Sequence, residues 1–454
     1  MPNAFTRPDG STQPVSGYKF KEPHEDVPRY DGSTAPEDLP KKVDLRPHMT
    51  DVEDQKQLNS CAANATAGAY EYLVKRHADE PYDVSRLFIY YNGRKEDLEA
   101  EGGGQLEDQG MTIHSAIKGL EQYGACAEST WPYEEREVDA KPTSSSYAEA
   151  EGFKVEDVAV VPTELQAWKQ VLAEGYPIIF GLSLFGSFDK QRKPGYVPAP
   201  TAGETGRESH GGHAMLAVGY SDPDEMFIVR NSWGPDWGDA GYCYIPYDYM
   251  MNPELNFGDS WFIRQTEAVP RDEGTWSNDD ESVLEELDTL LSEMTDDDYA
   301  AMTEAMGKLH FETRVALVFL AAAGFDGSID DEQLNDISAY LTTVLEAMGS
   351  RYTAGKVMKH ALQHYDDKDI KQSIKLLGDH LPKAALASIA THIQTIVDEG
   401  DPSEDEQAFL TTLVDQWQVE IEPEDSEDED DDEEEDDESD DEDESDDEEG
   451  SDDE

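Results

Sequence analysis

The spacing of apolar residues changes character partway through the first 270 positions, and that change limits the fold more than any other feature of the chain. Before it, Ala63, Ala67, Tyr70 and Val74 recur at intervals of three and four, which predicts a helix from Cys61 to Arg76. A second helix is expected from Thr112 to Tyr123. After it, apolar runs of strand length stand between turns: Pro177 to Leu184, His213 to Tyr220, Met226 to Asn231 and Tyr242 to Pro246. Helices first and strands second predict an α+β unit over residues 41–268.

Three chemically useful side chains sit at the edges of these elements. Cys61 opens the first helix, with Ser60 as the expected cap. The unpaired N–H groups and the dipole of a helix start favour an anion, and a cysteine attacks as its thiolate. His213 begins a strand, a rigid place to hold a base. Asn231 ends the next strand, where its carbonyl can accept the second ring N–H and fix the imidazole. Gln55 lies shortly before Cys61, and its amide can donate to a developing oxyanion together with the Cys61 N–H. A cysteine near a helix start is ordinarily a small buried hydrophobe. Its company sets Cys61 apart, whereas Cys126 and Cys243 read as core residues and His210 as a loop residue.

These motifs resemble the papain-like cysteine peptidases, and their prokaryotic branch in particular. The resemblance rests on Val43-Asp44-Leu45-Arg46-Pro47, on Gln55 with Ser60-Cys61 and Ala63-Asn64-Ala65, and on Gly212-His213-Ala214 with Val218-Gly219-Tyr220. It continues through Asn231-Ser232-Trp233-Gly234 to Gly241-Tyr242, with Tyr123-Gly124-Ala125-Cys126 and Trp131-Pro132-Tyr133 between the halves. It implies an α lobe packed on a β-barrel lobe. It makes Cys61 the nucleophile, His213 the base, Asn231 the orienting amide, Gln55 part of the oxyanion hole and Trp233 the shield of the His–Asn pair. Gly103 and Gly104, in the Gly102-Gly103-Gly104 stretch, are expected to offer backbone to a peptide substrate. Ala62 stands where many members have Trp, Asn59 where they have Gly, and Leu58 where they have a disulfide-forming Cys. The expected reaction is endopeptidase hydrolysis through a thioester, without a cofactor. Two rivals are a catalytically silent peptide-binding protein and an acyl transferase using the same groups.

The chain carries 104 acidic and 34 basic side chains, a formal charge of −70. Residues 421–454 hold 27 of the acids and no Lys or Arg, which leaves 77 acids against 34 bases elsewhere. Such a surface repels nucleic acid and anionic membranes, so neither is an expected partner; a peptide or protein substrate is. The spread of the excess over every segment favours adaptation to high salt over attraction of basic partners. Three cysteines make no disulfide framework, and neither a secretory leader nor a membrane span is evident. A cytoplasmic location is the expectation.

Residues 1–40 read as an extended leader whose single apolar patch is Ser16-Gly17-Tyr18-Lys19-Phe20. It is expected to wrap the surface of the catalytic unit rather than to inhibit it. Residues 269–280 read as a linker, residues 281–420 as an all-α domain and residues 421–454 as a disordered acidic tail. Val283, Leu287, Leu290, Leu291 and Met294 fall on one helical face, and Leu334, Ile337, Leu341, Val344, Leu345 and Met348 on another. Two acidic loops, Ala323 to Gln333 and Val397 to Gln407, each end in an Asp-Glu-Gln triplet. They resemble the tellurite-resistance-type (TerB-like) helical domain, and this makes Asp326, Asp330, Asp398 and Asp401 candidate ligands of a divalent cation. An EF-hand does not fit, because Ala322 and Gly324 stand where carboxylates belong. Acidic residues at helix starts also complement the dipole without any metal.

Overall fold

The computed structural model describes residues 4–32, 39–78, 82–206, 211–264, 273–324, 331–399 and 403–421. It opens with a small hairpin, β1 (Ala4–Thr6) and β2 (Thr12–Pro14), followed by β3 (Lys42–Asp44). The first lobe is helical: α1 (Cys61–Ala78), α2 (Arg86–Ala100), α3 (Ile113–Tyr123) and α4 (Ser144–Ala150). Thr112 caps α3 by accepting the Ser115 N–H, and Gly124 ends it at a φ of 77°. Helix α1 is buried all round from Cys61 to Leu73, not along one stripe. Alanines at 62, 63, 65, 67 and 69 make that possible by letting neighbouring elements approach its backbone closely.

The second lobe interleaves β4 (Asp157–Val160), α5 (Leu165–Ala173), β5 (Ile178–Leu184), α6 (Ala202–Thr205), β6 (Gly211–Ser221), β7 (Met226–Arg230), β8 (Tyr242–Pro246), α7 (Tyr247–Met250), β9 (Ser260–Arg264) and β10 (Trp276–Ser277). The strands join β3 in one antiparallel sheet running β10-β3-β6-β5-β9-β4, with β7 on the other edge of β6 and β8 beyond it. Its end strands do not pair with each other, so the expected barrel is an open sheet. Strand β6 organises it. Residues 211–217 pair with β5, and residues 219–221 pair with β3. The register shifts between Ala217 and Gly219, and Gly219 fits because a Cβ there would lie 2.2 Å from the Val43 carbonyl oxygen. Trp276 and Ser277 pair with Val43 and Lys42, so these two residues of the expected linker are an edge strand of this sheet.

A second apolar core lies among α8 (Asp296–Met306), α9 (Phe311–Ala322), α10 (Asp331–Ala347), α11 (Ala354–Ala361), α12 (Asp367–His380), α13 (Lys383–Glu399) and α14 (Glu404–Trp417). Helix α9 is its centre, buried from Phe311 to Leu320. The helix expected over residues 283–294 is absent: the segment forms turns and a single 3-10 turn at Glu285–Leu287. Its apolar residues serve two masters. Val283, Leu284 and Leu287 pack on the first core, which the two lobes share, while Leu290, Leu291 and Met294 pack on the second. No straight helix turns one face toward both. Among the described residues, no helix is long and apolar enough to cross a membrane.

Candidate active site

Cys61 is the first residue of α1 and is fully buried. Backbone N–H groups near its sulfur, that of Ala214 on β6 first among them, favour the thiolate. Burial outweighs these donors and pushes the thiol up to about 12. The Ser60 hydroxyl does not cap the helix. It meets the Tyr133 hydroxyl at 2.5 Å and accepts from Asn64 Nδ2 at 3.1 Å.

His213 is likewise fully buried, on a strand held by β5 and β7. Its Nε2 lies 2.7 Å from Asn231 Oδ1. The Ser232 backbone N–H donates to that same Oδ1 at 2.8 Å, which identifies the atom as oxygen. Nε2 therefore carries the hydrogen, and Nδ1 is the basic nitrogen. Among the described residues Nδ1 has no hydrogen-bond partner. Burial lowers the imidazole to about 4 against the opposing effect of Asn231. Trp233 lies over the pair, its ring centroid 5.0 Å from that of His213. Phe188, Trp237 and Phe5 pack around Trp233 in turn.

Gln55 is placed by backbone pairing. Its N–H donates to the Ser232 carbonyl at 2.8 Å, and the Gly234 N–H donates to Glu53 at 3.0 Å. Its side-chain Oε1 accepts from the Ser232 hydroxyl at 2.7 Å, and Nε2 donates to the Leu58 carbonyl at 2.9 Å. Nε2 carries two hydrogens, and Leu58 takes one of them.

The leader, expected to wrap the surface of the catalytic unit, runs between its two lobes around Tyr18, across the cleft that separates Met111 from Gly181 and Gly212. The Met111 N–H donates to the Gly17 carbonyl at 3.0 Å and the Lys19 N–H to the Met111 carbonyl at 3.1 Å, in a parallel bridge centred on Tyr18. Ser16 Oγ donates to Asn59 Oδ1 at 3.1 Å. The Tyr18 ring lies on Gly181 of β5 and Gly212 of β6, the residue before His213. A Cβ at Gly181 would fall 2.1 Å from the ring, and one at Gly212 would fall 2.7 Å from it. The Tyr18 hydroxyl donates to buried Asp259.

The backbone that pairs with this segment is that of Met111, and Gly110 beside it lets the Gly17 carbonyl approach, since a Cβ there would fall 2.2 Å from that oxygen. Gly103 and Gly104 lie on an exposed turn that closes α2, where Gly103 N–H donates to Leu98. Sequence reasoning missed Gly110, Met111 and Asp259. The apolar patch around Tyr18 was the one visible signal. Cys126 and Cys243 are buried in apolar surroundings. Asp326, Asp330, Asp401 and His210 lie outside the described residues. Asp398 is exposed and accepts from Gln394 Nε2 at 2.5 Å. Among the described residues no group of three His, Cys, Asp or Glu is placed to hold a metal.

The chain thus holds a buried thiol at the start of α1 and, on β6, an imidazole whose tautomer Asn231 fixes. A sequence profile described as Papain family cysteine protease matches residues 39–255. An uncharacterized peptidase C1-like protein of Acanthamoeba polyphaga mimivirus is 37% identical over 239 residues, which cover 50% of this chain and 74% of that protein. Cathepsin L2 of Homo sapiens is 29% identical over 220 residues, 46% of this chain and 62% of that protein, so the chain spans less than two thirds of it. Among solved structures, xylellain, a cysteine protease from Xylella fastidiosa, is 34% identical with a TM-score of 0.49, covering 56% of this chain and 97% of that one. The chain belongs to the papain family of cysteine proteases, which are hydrolases.

Proposed function

We propose that the chain is a cysteine endopeptidase in which Cys61, His213 and Asn231 act together, with Gln55 as an oxyanion donor. The observation that carries this is the fixed tautomer of His213: Asn231 holds Nε2, and the basic Nδ1 is the nitrogen left for the thiol. Once the leader segment around Tyr18, a strap across the cleft, leaves, Nδ1 takes the Cys61 proton and the thiolate adds to the scissile carbonyl carbon. The oxyanion is met by the Cys61 N–H and the second hydrogen of Gln55 Nε2. The C–N bond breaks, His213 Nδ1–H gives its proton to the departing amine, and a thioester remains. Water then attacks that carbonyl carbon, losing a proton to Nδ1, and releases the acid and the thiol. Trp233 keeps water from the His213–Asn231 bond.

Peptide and protein chains are the proposed substrates. The prokaryotic-branch motifs and the TerB-like reading of the helical domain stand as part of the same proposal, the second supported by its two similar acidic loops. Iodoacetamide labelling, mapped by peptide, tests the site on a Tyr18→Ala variant. Cys61 is expected to react at least tenfold faster than Cys126 or Cys243. Casein-peptide hydrolysis by that variant should disappear on Cys61→Ala and fall steeply on His213→Ala. Labelling without hydrolysis would favour the silent binding protein, and ligated products the acyl transferase.

A further inference from the structure

The helical domain takes no part in the chemistry above, yet it touches the segment that closes the cleft. The N-terminal hairpin lies between the two cores. On one side Phe5 meets the edge of the Trp233 ring at 5.9 Å. On that side Gln57 Nε2 also donates to the Thr12 carbonyl at 2.7 Å and Gln13 Nε2 to Lys56 at 3.3 Å. On the other side the buried Thr313 hydroxyl, in the first turn of α9, donates to the Pro8 carbonyl at 2.8 Å. His310, the residue before α9, lines a cavity together with Thr6 and Pro8. At the hairpin turn Gly10 has a φ of 80° and lies against the His360 ring of α11, where a Cβ would fall 2.5 Å from Nδ1. Four residues after β2 the same chain lays the Tyr18 ring on Gly181 and on Gly212, the residue before His213.

We propose that the helical domain is the catch for this strap: by docking the hairpin it sets how often the cleft opens. The proposal rests on the peptidase reading of the cleft. Within the cleft the strap is held by two backbone hydrogen bonds, by the Ser16 and Tyr18 hydroxyls and by the burial of one ring. A substrate competes for that same Gly110-Met111 edge. A tethered occupant competes at an effective concentration set by its tethers, on the millimolar scale for short links. Downstream, the chain is pinned where Tyr30 N–H donates to Val160 and Val160 N–H to Pro28. Upstream, the hairpin on α9 and α11 supplies the other pin. Freeing it leaves the strap anchored at one end, able to swing clear of Cys61. The same domain grips the loop behind Trp233 and Trp237: Arg192 and Tyr196 bond to Asp296, and Tyr299 donates to the Gln191 carbonyl. Where hairpin, loop and helices meet, a cavity of about 320 Å³ interrupts the packing, so the joint is not sealed like a core.

Full-chain variants test this. Gly10→Ala pushes an exposed turn off His360, and Thr313→Val removes the bond to Pro8 while keeping the side chain's shape. Tyr18→Ala empties the cleft directly and serves as the reference. The rate of Cys61 alkylation is read with hydrogen exchange at the amides of Lys19 and Met111. Gly10→Ala and Thr313→Val are each expected to raise Cys61 alkylation at least fivefold and to speed exchange at both amides, with Cys126 and Cys243 unchanged. If Tyr18→Ala reacts fast and hydrolyses peptide while the other two match the parent, the catch is wrong and the peptidase stands. If all three react fast and none hydrolyses peptide, the catch stands and the peptidase reading falls. If Tyr18→Ala reacts no faster than the parent, the strap is not the barrier and the catch falls.

Discussion

The Tyr18 hydroxyl donates to Asp259 Oδ2 at 2.9 Å, at the floor of a pocket walled by Gly181 and Gly212. Trp261 Nε1 holds the other carboxylate oxygen at 2.5 Å, so Oδ2 is the atom that loses its partner when the strap leaves. A buried acceptor without a donor costs about 1–3 kcal/mol. A substrate side chain that ends in a donor is therefore favoured over one that does not. In the Tyr18→Ala background, peptides presenting tyrosine to this pocket should exceed their phenylalanine counterparts about tenfold or more in kcat/KM. Asp259→Leu should erase the difference. Equal rates for the two peptides in the Tyr18→Ala background would end the claim.

Gly181→Ala is the smallest change that should open the cleft. Its Cβ would collide with the Tyr18 ring at 2.1 Å, while alanine suits the strand at least as well as glycine. Cys61 alkylation should rise about tenfold with little loss of melting temperature, an order of magnitude set by roughly 1.4 kcal/mol of strap destabilisation. A melting temperature that collapses instead would show that the strand, not the strap, gave way.

The reactivity of Cys61 should also change its dependence on pH. With the strap in place burial raises the thiol to about 12 and lowers His213 to about 4, so a neutral pair persists between those limits. Burial disfavours both charged forms, and opening relieves both penalties: the thiol falls and the imidazole rises. The parent's alkylation rate should climb only in strongly alkaline buffer. In Tyr18→Ala the climb should begin about two units or more lower, as expected for a thiolate beside an imidazolium. Superimposable profiles would contradict this.

Glu312 makes a stability prediction. Its Oε1 accepts from Ser350 at 3.3 Å, while Oε2 has no partner among the described residues. Burial raises this carboxyl to about 8. A folded-state value above the unfolded one gives stability that is complete below the ordinary carboxylate range and is lost as pH rises through 8. Glu312→Gln cannot ionise. It should match the parent at pH 5 and exceed it at pH 9 by an amount on the order of 1–3 kcal/mol in urea unfolding. A variant less stable at both pH values would refute it.

Part of the fold could be read from the chain: the run Tyr242 to Pro246 is a strand with those same bounds, and two expected site residues, His213 on β6 and Asn231 just after β7, meet through one hydrogen bond. What was not legible is non-local. Nothing around Tyr18 announces a bridge to Met111, and nothing around Trp276 announces pairing with Val43. Periodicity also misled over residues 283–294, since an apolar stripe records burial and not the number of cores that supply it. The open sheet follows from end strands β4 and β10, whose lack of mutual pairing no local pattern encodes.

Leu287 and Leu291 are a few residues apart, yet they sink into different interiors. A short stretch of chain therefore rivets the two bodies, and heat cannot loosen one without tugging at the other. Scanning calorimetry should give a single endotherm. Leu291→Ala, which leaves a hole where the side chain is fully enclosed, should cost about 2–5 kcal/mol and pull the whole peak down in temperature without splitting it.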